Sequence, residues 1–372
     1  MSTKATRVES TVDYYVDCVA YSYNAIHDIP EKEAIVNTTA DGQKRRATRA
    51  DVAQLANVST AVVSYVFNNG PRPVAPDTAR RVREAAEKLN YRPNSVARAL
   101  STGSSKTLGI VVPDLSNPFF SGVYSALETA ASRNGYSTLF MASHQNPEKE
   151  MDRISQLIAR EVDAIIIASA QPTAALAGVP RKECPFIFMD QTQPIPGAKC
   201  VSTDFQAAVS LAVRHLLGHG YTNIAMLSGK ADDGLSDKRI QGWYQAHKET
   251  EIPVGPVVQA HFTRQGGYDA TLALLDSDKR PDAIFADSDL EAIGALRALH
   301  ERHVRIPEDI AIVSFDGTVD AQFSWPPLTV VQQDAHAIAE RMFQAALDPG
   351  NTPDLQLIDT TLVPRQSCGC LK

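Results

Sequence analysis

Residues 48–68 read TRADVAQLANVSTAVVSYVFN, and this stretch predicts two short helices joined by a tight turn. A first helix is expected over residues 50–55, because small apolar residues share one face at helical spacing: Val52, Ala53 and Ala56. The turn falls at Asn57 to Ser59, and the Ser59 hydroxyl can accept free amides of a second helix. The second helix is expected to bury Val62, Val63 and Val66 and to leave Thr60, Ala61, Ser64 and Tyr65 outside.

Two such helices around a turn of about three residues are typical of a helix-turn-helix, whose second helix enters the DNA major groove. A compact helical hairpin with no DNA contact is the alternative. A third helix is expected from Asp77 to Leu89, where apolar residues would close a three-helix core: Ala79, Val82, Ala86 and Leu89. Residues 95–100 follow a break and are too short to form a stable helix alone.

In this region the chain resembles the lactose-repressor and galactose-repressor family of bacterial transcription regulators. The family motifs D-V-A-x-x-A-x-V-S, L-N-Y-x-P-N and V-A-x-x-L occur in this order at residues 51–59, 89–94 and 96–100. The resemblance continues through residues 108–114 and 116–120, which look like the first strand and ligand loop of the family's effector domain. It covers residues 48 to 372. The last motif that matches is Pro364–Ser367, which is similar to the family's closing strand.

Beyond residue 107, short apolar strands alternate with helical patterns. Strands are expected at 108–113, 137–142, 164–169, 186–190, 224–229, 257–262, 283–288 and 310–316. Two sets of four strands with helices between them predict two parallel, doubly wound sheets. The expected fold class is therefore α/β, with a helix-turn-helix module before a two-lobed domain that the resemblance makes periplasmic-binding-protein-like.

The expected domain organisation has four parts. Residues 1–43 form an N-terminal extension, expected to be disordered, and residues 44–93 form the DNA-binding domain. Residues 94–106 form a hinge helix and linker. Residues 107–372 form the effector-binding and dimerisation domain, whose two lobes are joined by crossovers near 203–206 and 330–334.

The formal net charge of -7 is unevenly distributed along the chain. Residues 44–106 hold twelve Lys and Arg against four Asp and Glu, whereas residues 107–372 hold 21 against 32. A basic module on an acidic body suits contact with DNA phosphates.

No apolar run approaches the ~18 residues of a membrane span, and no basic region followed by an apolar block marks an export signal. The expected location is the cytoplasm, on the nucleoid when DNA is bound. The five cysteines form no metal-binding spacing, and an odd count suits a reducing compartment. Cys368–Gly369–Cys370 is the only close pair, so no metal and no cofactor are expected.

DNA contacts are expected from the start of the first helix, the outer face of the second helix and the hinge: Arg49, Ser59, Thr60, Ala61, Ser64, Tyr65, Asn68, Asn94, Ala97 and Leu100. Tyr65 departs from the family, in which an arginine is common at this position. Arginine reads guanine through two parallel hydrogen bonds, which tyrosine cannot make, so the operator sequence stays open. Leu100 is expected to act as an apolar wedge in the minor groove.

Effector contacts are expected beyond the carboxyl ends of the strands, where ligands bind in such sheets. The resemblance implies that Arg239 holds ligand oxygens and that Asp316 accepts sugar hydroxyls. The full set is Asp114, Phe119, Phe120, Asp190, Arg239, Phe262, Ser288, Asp289 and Asp316. The alternatives are structural, because strand-end aspartates often cap helices, phenylalanines often lie in the core and an arginine can pair with a carboxylate.

These features indicate a homodimeric transcription regulator, a repressor, that binds a near-palindromic operator under the control of a small-molecule effector. A sugar is preferred over a purine as the effector, and the sequence leaves open whether it releases or recruits the protein. An enzyme is disfavoured because there is no nucleophile elbow, phosphate-binding glycine loop or metal-ligand spacing. A sugar-binding transport protein would share the two-lobed domain but would have no use for residues 48–100.

Overall fold

The computed structural model describes residues 46–68, 72–92, 99, 102–169, 171, 175–178, 184–229, 235–250 and 252–370. The chain divides into two compact units, which meet in sequence between residues 98 and 99. The N-terminal extension expected to be disordered lies outside the described residues.

Within the described part of the first unit, the chain forms three helices, α1 (Arg49–Ala56), α2 (Thr60–Asn68) and α3 (Pro76–Lys88). Their shared core consists of Val52, Ala53, Ala56, Val63, Val82, Ala85 and Ala86. Small residues predominate because short helices that cross closely leave little space between their backbones. Val62 and Val66, expected to be buried, are instead half-buried at the edge of this core.

Helix α1 begins with a reciprocal cap. The Asp51 amide donates to the Thr48 hydroxyl at 3.3 Å, and the Asp51 carboxylate accepts the Thr48 amide at 2.7 Å. Two amides that have no partner within the helix are thereby satisfied. Asn57 ends the helix in the left-handed region at φ 53°, a conformation that asparagine tolerates better than most residues.

The first lobe of the second unit is built on a parallel six-stranded sheet. Its strands are β1 (Thr107–Val112), β2 (Ser137–Ala142), β3 (Ala164–Ala168), β4 (Phe186–Met189), β5 (Lys199–Thr203) and β11 (Leu355–Ile358). The order across the sheet is β11-β5-β4-β3-β1-β2. Helices α4 (Pro118–Arg133), α5 (Pro147–Ile158) and α11 (Ala335–Leu347) cover it. Strand β3, AIIIA, is buried throughout because helices lie on both faces.

The second lobe repeats this plan. Its strands are β6 (Ile224–Ser228), β7 (Val257–Gln259), β8 (Ala283–Ala286), β9 (Ala311–Asp316), β10 (Thr329–Gln333) and β12 (Thr360–Val363). Their order is β12-β10-β9-β8-β6-β7, and only β12 runs antiparallel to its neighbour. The helices are α6 (Phe205–Gly218), α7 (Leu235–Lys248), α8 (Arg264–Leu275), α9 (Asp289–Glu301) and the short α10 (Val319–Phe323).

The chain passes between the lobes three times, after β5, after β10 and after β11. The hydroxyl of Thr203, at the first passage, donates to the side-chain oxygen of Gln333, at the second, over 2.5 Å. The third passage, at Asp359, was not predicted, because the short edge strands β11 and β12 carry no strong apolar pattern.

The expected α/β class and paired parallel sheets are confirmed. Two further local expectations are wrong. Strand β7 ends at Gln259 rather than 262, and residues 366–368 form a 3-10 turn rather than a closing strand. Among the described residues, no helix has both the length and the apolar character needed to cross a membrane.

The cap of α1 gives a first prediction. Thr48→Ala should weaken this helix by about 0.5–2 kcal/mol, because an N-terminal amide loses its partner. Hydrogen exchange measured by mass spectrometry on the full chain should show faster exchange over residues 49–56. Thr60→Ala, which removes the same atoms from an exposed position in α2, serves as control, and equal exchange in the two variants would contradict the capping role.

Candidate functional site

The outer face of α2 carries most of the expected DNA contacts that the structure describes. Thr60 and Ala61 are exposed, Ser64 and Tyr65 are half-buried, and Arg49 is exposed at the start of α1. The Ser64 hydroxyl accepts the Asn68 side-chain amide at 3.1 Å, so two expected contacts stand together. The remaining expected contacts, Asn94, Ala97 and Leu100, lie outside the described residues.

Ser59 has a structural role that the sequence also predicted. Its hydroxyl oxygen accepts the Val62 amide at 3.3 Å and so caps α2. An oxygen engaged in this way can still donate its own hydrogen. A DNA contact by Ser59 would therefore be made by a hydroxyl that the cap holds in place.

The candidate effector site is centred on Arg239, which is 5% exposed. The guanidinium lies over the rings of Phe205 at 4.5 Å and Phe315 at 4.6 Å, with the ring of Phe262 at 5.3 Å. These faces replace part of the hydration that burial removes from the cation. Of the aromatic residues around Arg239, the sequence had singled out only Phe262.

Asp287 is the counter-ion of Arg239 and was not predicted. Its Oδ1 accepts Arg239 Nη1 at 2.7 Å, its backbone carbonyl accepts the same nitrogen, and its Oδ2 accepts the Ser228 hydroxyl at 3.1 Å. Burial disfavours the charged form of Arg239, but Asp287, Asp316 and Asp190 together outweigh burial and raise its pKa. One nitrogen of Arg239 therefore pairs with a carboxylate, as the structural alternative expected.

Asp316 lies at the end of β9 with φ at 105°, a left-handed conformation unusual for any residue but glycine. Burial raises its pKa well above the ordinary value, the charge of Asp289 adds to the rise, and Arg239 opposes it. The Gln333 amide donates to its carboxylate at 2.8 Å. Because Gln333 also bonds Thr203, this carboxylate is connected to two of the passages between the lobes.

Asp190 brings a carboxylate from the first lobe, at the end of β4. Burial raises its pKa to about 6, and the charge of Arg239 acts in the opposite direction. Its Oδ1 has no hydrogen-bond partner among the described residues, nor do Tyr124 Oη, Arg239 Nε and Glu291 Oε1. A buried polar atom without a partner is costly, so a group of such atoms from both lobes is suited to binding a polar ligand.

Two other predicted effector residues form hydrogen bonds within the protein. Ser288 caps α9 by accepting the Glu291 amide at 3.2 Å. Asp289 accepts the Ser314 hydroxyl at 2.5 Å and the Thr318 amide at 2.6 Å. Both fit the structural alternative, and Asp289 acts on the site through the pKa of Asp316.

On the first lobe, Asp114 closes its own loop by accepting the amide and hydroxyl of Ser116, and these bonds lower its pKa. Phe119 is 6% exposed and belongs to the core. Phe120 is half-buried and stacks on Tyr124 at 6.1 Å between ring centroids. Phe120 therefore keeps exposed surface, Asp190 keeps an unpaired oxygen, and the half-buried Asp114 is partly engaged by Ser116.

No metal-binding spacing was found in the sequence, but four side chains of types that can bind a metal lie together in the structure. Cys368 and Cys370 form no such spacing with the other cysteines, but the fold brings two histidines from α6 and its cap next to them. Sequence spacing could not reveal a set whose halves lie about 150 residues apart.

The buried ion pair gives a second prediction. Arg239→Ala should lower the free energy of unfolding by about 3–5 kcal/mol, because Asp287 is left charged and unpaired in the interior. The double variant Arg239→Met/Asp287→Leu should recover most of this loss, since neither charge is then buried. Denaturant unfolding of the full chain measures both, with Arg264→Ala, which breaks an exposed pair with Asp320, as control. A double variant no more stable than Arg239→Ala would contradict the argument.

Both units match known families. Residues 48–94 match the model of the bacterial regulatory proteins of the lacI family. Residues 105–365 match the model of the periplasmic binding proteins and sugar binding domain of the LacI family.

Individual relatives agree with these matches. Catabolite control protein A of Priestia megaterium is 33% identical over 78% of this chain and 90% of its own length. The transcriptional repressor PurR of Vibrio cholerae serotype O1 is 33% identical over 81% of this chain and 91% of its own.

The solved structure of the lac repressor dimer bound to operator and the anti-inducer ONPF is similar with a TM-score of 0.78. It is 26% identical and covers 87% of this chain and 99% of that one. With the helix-turn-helix and the paired sheets in place, the chain belongs to the LacI family of bacterial DNA-binding transcriptional regulators.

Proposed function

We propose that this protein is a homodimeric repressor whose binding to a near-palindromic operator is controlled by a sugar bound between its two lobes. The observation that carries the sugar proposal is the set of unpaired, buried polar atoms around Arg239: Asp190 Oδ1 and Tyr124 Oη from the first lobe, and Arg239 Nε and Glu291 Oε1 from the second. Sugar hydroxyls donate and accept hydrogen bonds, so one sugar can satisfy carboxylates and a guanidinium together.

Some relatives support a sugar as the effector, and others suggest a second candidate effector. One solved structure is a complex of the transcriptional regulator CelR with cellobiose, and another is a LacI family regulator from Enterococcus faecium with bound ribose. Several relatives are named PurR, however, which favours a purine as the alternative effector. A purine would need an aromatic face, and half-buried Phe120 or Phe262 could supply it.

Effector control is proposed to act through the passages between the lobes. A ligand that bonds Asp316 alters the carboxylate that holds Gln333, and Gln333 bonds Thr203 at the other passage. A change in lobe closure at these passages would alter the spacing of the two DNA-binding units in a dimer. Two DNA-binding units are needed because one helix-turn-helix makes too few contacts with DNA for selective affinity.

Operator binding gives a third prediction. Selection of the full chain against a random DNA library should return an inverted repeat, since the dimer is expected to be two-fold symmetric. Ala61→Asp should reduce affinity for that repeat about a hundredfold or more, because a carboxylate on this face meets DNA phosphates and like charges facing one another cost several kcal/mol.

The control is Ala159→Asp, which adds the same charge to an exposed residue of the second unit. Fluorescence anisotropy at fixed salt compares the two variants. Equal affinity of the two, or selected DNA without a repeat, would contradict the proposed DNA-binding face or the proposed dimer.

Effector binding gives a fourth prediction. A calorimetric screen of monosaccharides, disaccharides, sugar phosphates and purines should find a sugar that binds the wild-type protein. A sugar hydroxyl that donates to ionised Asp190 favours loss of its proton, so affinity should rise as the pH increases through about 6. Asp190→Asn should abolish this pH dependence and weaken binding, whereas exposed Asp269→Asn should do neither.

The variant is not expected to unfold. Since burial raises the pKa of Asp190 above its ordinary value, its ionised form destabilises the folded chain at neutral pH. Asn carries no charge, so the melting temperature without effector should stay equal or rise. A purine as the sole ligand would replace the sugar proposal, and unchanged sugar affinity in Asp190→Asn would remove Asp190 from the site.

A further inference from the structure

A second cluster of side chains that can bind a metal lies where α6 ends. His215 is in the last turn of α6 and His219 is its C-cap, so their rings lie one turn apart, with centroids separated by 4.7 Å. Cys368 ends the 3-10 turn of residues 366–368, and Cys370 follows two residues later. One ligand atom from each of these four residues lies within 4.8 Å of all the others.

The distances fit a four-coordinate metal. His215 Nε2 lies 3.3 Å from Cys368 Sγ and 3.5 Å from Cys370 Sγ, and His219 Nε2 lies 3.0 Å from Cys370 Sγ. A tetrahedral zinc with Zn–S of about 2.3 Å and Zn–N of about 2.0–2.1 Å separates its nitrogen and sulfur ligands by roughly 3.6 Å. Of these three pairs, His219–Cys370 must widen most, and the exposed His219 ring has room to move.

Hydrogen-bond donors surround the sulfur of Cys368. Thr329 Oγ1 lies 3.0 Å from its sulfur and itself accepts the Arg365 amide at 2.8 Å, so its hydrogen is directed to the sulfur. The backbone amide of Cys370 also donates to the Cys368 sulfur. Donors of this kind orient metal-bound thiolates and stabilise their charge.

The backbone holds both cysteines on one side of the segment. Gly369 lies between them at φ +89°, a conformation that L side chains rarely adopt. The preceding Ser367 hydroxyl accepts the Thr329 amide at 2.8 Å and donates to the Ile312 carbonyl at 2.6 Å. The cysteines are therefore presented by a segment already fixed to β9 and β10, and little ordering is needed to complete the set.

We propose that His215, His219, Cys368 and Cys370 bind one zinc ion. Two thiolates and two imidazoles in a tetrahedron suit zinc, and a set closed by four protein ligands is typical of a structural rather than a catalytic site. The ion fastens the segment after β12 to α6, joining parts of the second lobe that lie about 150 residues apart in sequence.

The test uses the full chain, purified with a reductant, stripped with a chelator and reconstituted with zinc. Elemental analysis should find one zinc per chain, and reconstitution should raise the melting temperature. Cobalt(II) in place of zinc should give the intense visible absorption of a tetrahedral site together with thiolate-to-cobalt charge transfer.

Cys370→Ser and His219→Ala change two ligands that are not fully buried. Both variants should keep the fold intact, as circular dichroism would verify. Each should weaken zinc affinity more than about tenfold, since even supporting residues around a metal contribute tenfold or more. Cys184→Ser and His300→Ala, which change a cysteine and a histidine outside the cluster, should keep one zinc per chain.

Three results would overturn the proposal. The first is a wild-type protein that retains no zinc after reconstitution at equimolar metal. The second is equal zinc affinity in the cluster variants and the controls. The third is a Cys368–Cys370 disulfide that persists in the reduced preparation, detected as a mass loss of two hydrogens, because those sulfurs would then be unavailable to a metal.

Discussion

The second unit depends on a buried ion pair between Arg239 and Asp287. Taking both charges out of water costs more than their attraction alone returns, so the pair persists only where other groups compensate it. Phe205 and Phe315 cover the guanidinium, and Ser228 donates to the carboxylate. Gly229 leaves space for Phe262, since a Cβ there would lie 2.1 Å from that ring. The pair therefore constrains residues from α6 to β9 to positions around a buried polar site.

The same pair sets the electrostatics of the cleft. Its cation stands against carboxylates from both lobes, and those carboxylates have raised pKa values because burial outweighs the attraction to Arg239. Polar atoms without partners in this site can form hydrogen bonds with a bound molecule. That property suits a protein whose lobes change position when a small molecule binds, because the ligand supplies the missing hydrogen bonds.

Helix α6 connects the cleft with the histidine and cysteine cluster. Its first residue, Phe205, lies against Arg239, and its cap, His219, lies beside Cys370. A helix of 14 residues spans about 21 Å, so both features act on one rigid element. A metal that fixes the far end of α6 would also restrain the end that carries Phe205, and through it the packing around Arg239.

The sequence by itself determined the helix-turn-helix, because the cap at Ser59 and the spacing of small apolar residues are local signals. It also determined the paired parallel sheets, since their inner strands are continuous apolar runs such as residues 164–168. It placed Arg239, Asp316 and Asp190 at strand ends or on helices beside them. The tertiary structure alone decided which of these side chains keep unpaired atoms and which, like Asp289, are consumed by neighbouring loops. It also supplied Asp287 as the counter-ion, added the third passage between the lobes and brought His215 to Cys368. Those features depend on contacts between residues far apart in the chain, which no local periodicity or spacing encodes.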